Sequence, residues 1–323
     1  LISLRLLFMG TPVFALPALD LINSSPHNIA AIVTQPDRLA GRGKVLRYSA
    51  VKQWAIAHRV ETYQPDQLNE EAFLAWLDNL KPDLIVTVAF GRLLPGRLLK
   101  TPPLGCVNLH ASHLPAYRGS APIHRAVIEG APYSGVSIID LTEELDGGDV
   151  YAQEKETIFP DDTAGTLHDR LAAGGAALLL KTINALAEGT AVKTPQDSAL
   201  ATYAPPLGPP DEMIDWNLHA REIHNRIRGL NPWPGAYTTC KGKRVKVWKS
   251  AFTGVHEAGE KIAAPGTILG FGDGTIVVAT GLGNLTLIEM QPAGKQRMQA
   301  AAFCCGYRLE PGERLGIGSP SVG

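Results

Sequence analysis

Cysteine is scarce in this chain, and no CxxC pair occurs. The four residues Cys106, Cys240, Cys304 and Cys305 have neither the spacing of a zinc site nor the framework of a disulfide-stapled domain. Adjacent Cys304 and Cys305 are poorly placed to bridge each other, so reduced thiols and a cytoplasmic setting are expected. Long hydrophobic runs are also missing. No stretch approaches the roughly 20 apolar residues of a membrane span, so no membrane partner is expected. The opening LISLRLLFMG is an apolar run cut by Arg5 and followed by a turn instead of a cleavage site, so a first strand is expected here. There is no HExxH and no GxSxG, and Gly10-Thr-Pro-Val-Phe-Ala stands where a GxGxxG would follow the first strand. These absences argue against a zinc hydrolase, a serine nucleophile on an α/β-hydrolase sheet and an NAD-linked oxidoreductase.

Charge is nearly balanced, 30 Lys+Arg against 31 Asp+Glu over 323 residues, yet it is unevenly spread. Acids outnumber bases before residue 200, and bases outnumber acids after it, a mild pointer to an anionic partner for the later part. The length suits two domains, each burying its own core.

Short apolar runs alternate with helical spacing from the start. Leu4–Met9, Ile29–Thr34, Asp83–Phe90 and Cys106–His110 read as buried strands, separated by helical patterns over Phe14–Leu21 and Asn69–Asn79. That alternation predicts an α/β domain with a Rossmann-like, mostly parallel sheet covered on both faces. Gly135–Leu141 and Asp149–Ile158 follow without an intervening helix and predict an antiparallel pair, and Thr166–Leu186 predicts a closing helix. Five prolines then interrupt GTAVKTPQDSALATYAPPLGPPDEMIDW, and they suit neither a helix interior nor a central strand. The expected division is a domain over 1–189, a linker over 190–209, a second domain over 210–316 and a tail over 317–323. In the second domain a helix at Leu218–Arg228 precedes five short strands between Gly235 and Met290, a pattern that suits a small OB-like β-barrel, with a sandwich as the alternative.

The stretch CVNLHASHLPAYRGSAPI, residues 106–123, ends a strand in polar side chains. Ligands of a parallel sheet settle outside the carboxyl ends of its strands. Alternation places Asn108 and His110 on one face, with Val107 and Leu109 on the other. An amide and an imidazole converging on one oxygen suit acyl transfer, where negative charge develops on a former carbonyl oxygen. Asp146, in Leu145-Asp-Gly-Gly-Asp149, can reach back towards His110 and manage protons. The competing metal reading of His110, His113 and His124 lacks cysteine ligands and zinc spacing, so no metal is expected.

Asn108-Leu-His110, Ser112-His-Leu-Pro115, Tyr117-Arg-Gly-Ser-Ala-Pro122 and Leu145-Asp-Gly-Gly-Asp149 together resemble the formyltransferase family that uses 10-formyltetrahydrofolate. Gly10-Thr-Pro12, Thr34-Gln-Pro-Asp-Arg38, Ala40-Gly-Arg-Gly-Lys44, Asn231-Pro-Trp-Pro-Gly235, Val245-Lys-Val-Trp248 and Gln291-Pro-Ala-Gly-Lys295 extend the resemblance to the branch that acts on methionyl initiator tRNA. It implies a catalytic trio of Asn108, His110 and Asp146, with Asn108 and His110 on the formyl oxygen and Asp146 positioning His110 and a water. It implies 10-formyltetrahydrofolate, released as tetrahydrofolate, lying along Ser112, His113, Leu114 and Pro115 with its pterin near Phe90 and Gly91. His113 departs from the family's usual leucine, and its side chain is expected to face away from the ligand.

On the tRNA side, Arg38, Arg42, Lys44 and Arg47 crowd one loop in which Asp37 is the nearby acid, and such a loop is drawn to phosphate. The resemblance singles out Arg42 as the probe of the acceptor end. Lys241, Lys243, Arg244, Lys246 and Lys249 sit together without an acid, which gives the barrel a basic surface for RNA. Strand alternation divides them between two faces, so they do not all meet one backbone. Pro205-Pro-Leu-Gly-Pro-Pro210 replaces the lysines of related linkers. A monomer is expected. The alternatives are a formyltransferase for an amino sugar nucleotide and an RNA-binding module without catalysis.

Overall fold

The computed structural model describes residues 2–40, 45–252 and 263–317. They fall into two compact units, one of Leu1–Pro122, Tyr133–Thr157 and His168–Pro205, the other of Ile123–Pro132, Ile158–Leu167 and Pro206–Gly323.

The strands up to residue 157 are β1 (Arg5–Gly10), β2 (Asn28–Val33), β3 (Arg38–Ala40), β4 (Val45–Arg47), β5 (Thr62–Tyr63), β6 (Leu84–Val88), β7 (Cys106–His110), β8 (Tyr133–Asp140) and β9 (Val150–Thr157). Seven of them form one sheet in the order β5-β2-β1-β6-β7-β8-β9. Pairings from β5 across to β7 are parallel, and β7–β8 and β8–β9 are antiparallel. β3 and β4 pair with each other in a separate hairpin. The chain runs outward from β1 to β2 and β5, then returns to β6 on the other side of β1. The crevice at the carboxyl ends of β1 and β6 is therefore the topological switch point where a ligand is expected.

The helices are α1 (Leu16–Asn23), α2 (Ala50–His58), α3 (Glu71–Leu80), α4 (Gly96–Leu99), α5 (Pro122–Ile128) and α6 (Ala164–Ala187). β6 reads LIVTV and is buried along its length, as a strand covered on both faces must be. α3 buries Phe73, Leu74, Leu77 and Leu80 against Leu7, Met9, Ile85 and Cys106 of the sheet. Each such side chain stabilises the fold by about 1.5–3 kcal/mol. α6 lies on the opposite face: a Cβ on Gly175 would stand 2.7 Å from Leu109 Cδ1, so the bare helix surface at Gly175 receives the Leu109 side chain of β7. Leu109 thus points to α6, which turns Asn108 and His110 to the other face.

Within the stretch 190–209, read from its prolines as linker, residues 194–204 are hydrogen-bonded into the first unit. Thr194 exchanges backbone bonds with Val150, and Arg118 with Thr202 and Ala204.

The second unit holds α7 (Pro209–Glu212), α8 (Ala220–Gly229), β10 (Tyr237–Cys240), β11 (Lys243–Phe252), β12 (Ile268–Gly272), β13 (Thr275–Ala279), β14 (Asn284–Pro292), β15 (Met298–Gln299) and α9 (Ala300–Tyr307). Its antiparallel sheet runs β10-β11-β14-β13-β12, with β15 beside β14. The segment 312–317 bridges the two edges: Ile268 N–H donates to Glu313 O, Leu315 N–H to Gly266 O and Gly316 N–H to Thr239 O, each at 2.8 Å. This closure favours the barrel over the sandwich, because a sandwich leaves its edges open. Ile223, Ile227, Val245, Val247, Ile276, Leu287 and Phe303 fill the core. Among the described residues, no helix is long and apolar enough to cross a membrane.

Candidate active site

Parallel pairing sets Thr87 of β6 beside Asn108 of β7. The Thr87 hydroxyl lies 2.7 Å from Asn108 Oδ1 and 3.2 Å from the Val107 carbonyl, so its single proton goes to the shorter contact. Donation to Oδ1 turns the other end of the amide outward, and Nδ2 of Asn108 has no protein partner among the described residues. The strand end therefore presents a pre-aimed N–H donor. Thr87 was not anticipated as a site residue; its only signal is a hydroxyl inside an otherwise apolar buried run.

Each residue of the motif Tyr117-Arg118-Gly119 holds a different part of the site. Tyr117 O accepts from His110 Nε2 at 3.0 Å; a carbonyl cannot donate, so Nε2 carries a proton and Nδ1 is left facing Asp146. Gly119 N–H donates to Asp146 Oδ2 at 2.8 Å. The result holds His110 Nδ1 3.6 Å from Asp146 Oδ2, with side chains only 7% and 12% exposed. That separation is too long for a hydrogen bond, so the two groups are kept as neighbours by the motif and not by each other. Gly119 has φ of +118°, and a Cβ there would lie 2.8 Å from Ala204 O, so no other residue fits without displacement. Between them, Arg118 is 1% exposed. Its guanidinium bonds Glu144 at 2.6 Å and Gln196 at 3.0 and 3.2 Å.

The loop 112–116 is fixed from within. Ser112 Oγ donates to Ala116 O at 2.6 Å, so this buried hydroxyl is already engaged and the residue acts through loop shape. Ser137 Oγ donates to Ser112 O and accepts from Leu114 N–H, and Gln153 Nε2 donates to Leu114 O. Leu114 is buried, and the bond from it to Pro115 is cis. His113 packs its Cβ against Gly135 of β8. Burial, and then the charge of Lys155, push its pKa below the ordinary histidine value. Phe90 is buried, its carbonyl accepting from Gln35 Nε2 at 3.1 Å, with Gly91 next to it at φ +78°. Among the described residues, no group of three or more His, Cys, Asp or Glu side chains is arranged to hold a metal ion.

Of the basic loop, Arg42 and Lys44 lie outside the described residues. Arg38 pairs with Arg47 across the β3–β4 hairpin, and Arg47 is exposed. Asp37 at the hairpin base is bonded by Lys52 and by Gln64. Burial raises the Asp37 pKa, but those bonds and the Lys52 charge outweigh it and hold the carboxyl below its ordinary value.

In the barrel, Val245 and Val247 point into the core while Arg244 and Lys246 face outward. A register shift between Val247 and Lys249 reverses the alternation, which is why Lys249 is exposed and Ser250 buried. Arg244 stacks 3.7 Å above the Tyr237 ring and pairs with Glu212. Lys246 and Arg297 lie 5.1 and 3.8 Å from the centre of the Trp248 ring. Burial, followed by the charge of Arg244, lowers the Lys246 pKa from its ordinary value. Lys246 and Arg244 line an open cleft of about 470 Å³ with Trp233, which is 67% exposed. Lys243 is exposed at the start of β11, and Lys241 pairs with Glu313 at 3.3 Å. The structure thus brings Arg244 and Lys246 together and sets Lys241 apart.

Residues 4–183 match the family model for formyl transferase, and residues 206–308 that for the formyl transferase C-terminal domain. The chain belongs to the formyl transferase family. It is 48% identical over 313 residues to a methionyl-tRNA formyltransferase of Moorella thermoacetica, covering 97% of this chain and 99% of that protein. A protein of the same name from Bacillus subtilis is 42% identical over 314 residues, at 97% and 98% coverage. Among solved structures, an N-formyltransferase from Helicobacter canadensis bound to folinic acid and dTDP-3-aminofucose shares the fold at TM-score 0.66 and 18% identity, covering 90% of this chain and 99% of that one. HypX from Aquifex aeolicus with tetrahydrofolic acid gives 0.64 at 17% identity; the match covers 93% of this formyl transferase and 47% of HypX.

Proposed function

We propose that this formyl transferase moves a formyl group from 10-formyltetrahydrofolate to the free amino group of methionyl initiator tRNA. The observation that carries the reading is the meeting of Asn108, His110 and Asp146 at one strand end, in a chain 48% identical to a methionyl-tRNA formyltransferase over nearly its whole length. The residues present fit a folate co-substrate, because Asn108 Nδ2 is a donor without a protein partner among the described residues, beside a loop at Ser112–Pro115 held by its own hydrogen bonds. When bound, the folate supplies an activated formyl carbon on nitrogen. Asn108 Nδ2 donates to the formyl oxygen as negative charge develops there, with His110 beside it. Asp146 Oδ2, kept near His110 Nδ1 by Gly119, would accept the proton shed by the attacking amine and pass it on to the folate nitrogen as the bond from that nitrogen to the formyl carbon breaks, so that tetrahydrofolate leaves. No protein nucleophile is needed, since the amine of the substrate attacks directly.

In this reading residues 1–189 carry formyl transfer and residues 210–316 hold tRNA, through Arg244, Lys246 and Lys249 on the barrel with Lys241 and Lys243 at its rim. Arg38, Arg42, Lys44 and Arg47 meet the acceptor end. In this reading the protein works in the cytoplasm, where it meets charged tRNA and folate. The amino-sugar alternative is set aside because relatives at 42–48% identity bear the tRNA enzyme's name, and a purely RNA-binding role leaves the polar strand end without a use. The test is formyl transfer to methionyl initiator tRNA, methionyl elongator tRNA and free methionine under one set of conditions. Strong preference for the first is expected; equal use of all three, or none, overturns the reading.

A further inference from the structure

The segment that reads as a linker reaches into the site through one side chain. Gln196 Nε2 lies 2.7 Å from the Asp146 carbonyl and 2.7 Å from the Gly148 carbonyl. Its Oε1 accepts from Arg118 Nε at 3.2 Å and Nη2 at 3.0 Å. An amide has two N–H donors and two acceptor lone pairs, and here all four are used within the protein. The orientation is fixed by chemistry, since the guanidinium only donates and the two carbonyls only accept. Arg118 reaches the same loop a second time through Glu144 at 2.6 Å, and Gly119 N–H holds the Asp146 carboxylate. Asp146 itself sits at φ +49°, a backbone conformation that L residues seldom adopt unaided.

We propose that Gln196 is a positioning residue for Asp146. By clamping the carbonyls on either side of Gly147 against buried Arg118, it sets where the Asp146 carboxylate stands relative to His110 Nδ1. The stretch 194–204 is therefore a working part of the formyl-transfer site as well as a connection. The proposal rests on the catalytic role given to Asp146 above, and its test separates the two.

Gln196→Ala removes all four bonds. Gln196→Glu keeps the acceptor for Arg118, now charged, but turns an oxygen towards two carbonyls, so it breaks only the side facing the loop. Both variants are compared with wild type for kcat, for KM of folate and of tRNA, for melting temperature, and for hydrogen exchange at the Gly119 amide. Misplacing a catalytic group by about 1 Å costs on the order of 10²-fold in rate. The expected result is a fall in kcat of about 10- to 100-fold in both variants, with both KM values unchanged and Gly119 exchanging faster while β7 stays protected. If Gln196→Ala does not fold, Gln196→Glu carries the test. Unchanged kcat in a folded variant overturns the proposal, as does a loss confined to melting temperature or KM. Faster Gly119 exchange with unchanged kcat keeps the clamp but removes its role in positioning Asp146 for catalysis, which also overturns it. A wild-type protein that transfers no formyl group refutes the proposed function instead, and Gly119 exchange still reports on the clamp.

Discussion

Thr87→Val isolates the aim of the Asn108 amide. Valine matches threonine in shape, so the buried position stays filled while the 2.7 Å bond from hydroxyl to Asn108 Oδ1 disappears. A hydrogen bond of this kind contributes about 0.5–1.5 kcal/mol net, and for a domain of this size the melting temperature should fall by roughly 2–4 °C. The effect on rate has a different origin. Without the hydroxyl nothing selects the orientation that points Nδ2 outward, although the donor itself remains. Losing an orienting preference of about 1.4 kcal/mol corresponds to about tenfold in kcat. That is well short of the ~10²–10³-fold cost of deleting an oxyanion donor outright, expected for Asn108→Ala. Steady-state formyl transfer by Thr87→Val, Asn108→Ala and the double variant tests the reasoning as a cycle. The two effects should not add, because Thr87 acts only through Asn108. A full additional loss from Thr87→Val in the Asn108→Ala background refutes it, as does a Thr87→Val enzyme as fast as wild type.

Gly119→Ala forces a residue at φ +118° into a Cβ contact of 2.8 Å with Ala204 O; strain of about 1–3 kcal/mol should lower the melting temperature and reduce kcat as the amide leaves Asp146, both read in one preparation. Among the thiols, Cys305 is exposed while Cys106, Cys240 and Cys304 are buried. Burial first, with neighbouring Asp140 and Cys240 respectively, pushes Cys106 and Cys304 up to about 12. A thiol reagent at neutral pH should therefore modify Cys305 alone in the native protein and all four cysteines in denaturant. Lys246→Ala should weaken tRNA binding and lower the slope of log affinity against log salt by about one. Arg42→Ala should weaken initiator tRNA more than elongator tRNA in a binding titration; an equal loss for both reduces Arg42 to a plain phosphate contact.

The strands that build the site were legible because they are buried on both faces and so read as apolar runs. The run Cys106–His110 appears in the structure with the same bounds, and its alternation correctly sends Asn108 and His110 to one side and Leu109 to α6. What could not be read comes from contacts distant in sequence or from elements with little apolar pattern. α2 buries only Val51, Trp54 and Ala55 and leaves a weak signature, marked chiefly by the Ser49 cap. The two-residue β5 is shorter than any periodicity. The bonds of Tyr117, Arg118 and Gly119 were invisible because each joins the motif to a different part of the chain. Gln196 was hidden among prolines that read only as linker, and the register shift near Lys249 has no sequence signal, since it arises from pairing with β14. Closure of the barrel by residues 312–317 runs through backbone groups, which side-chain patterns do not report.

Asp146→Asn tests the central claim most directly, because asparagine keeps the shape and an oxygen for the Gly119 amide while removing the charge 3.6 Å from His110. With saturating 10-formyltetrahydrofolate and methionyl initiator tRNA, kcat should fall by about 10²–10⁴-fold while tRNA affinity and melting temperature stay near those of wild type. A variant that turns over at close to the wild-type rate contradicts the account.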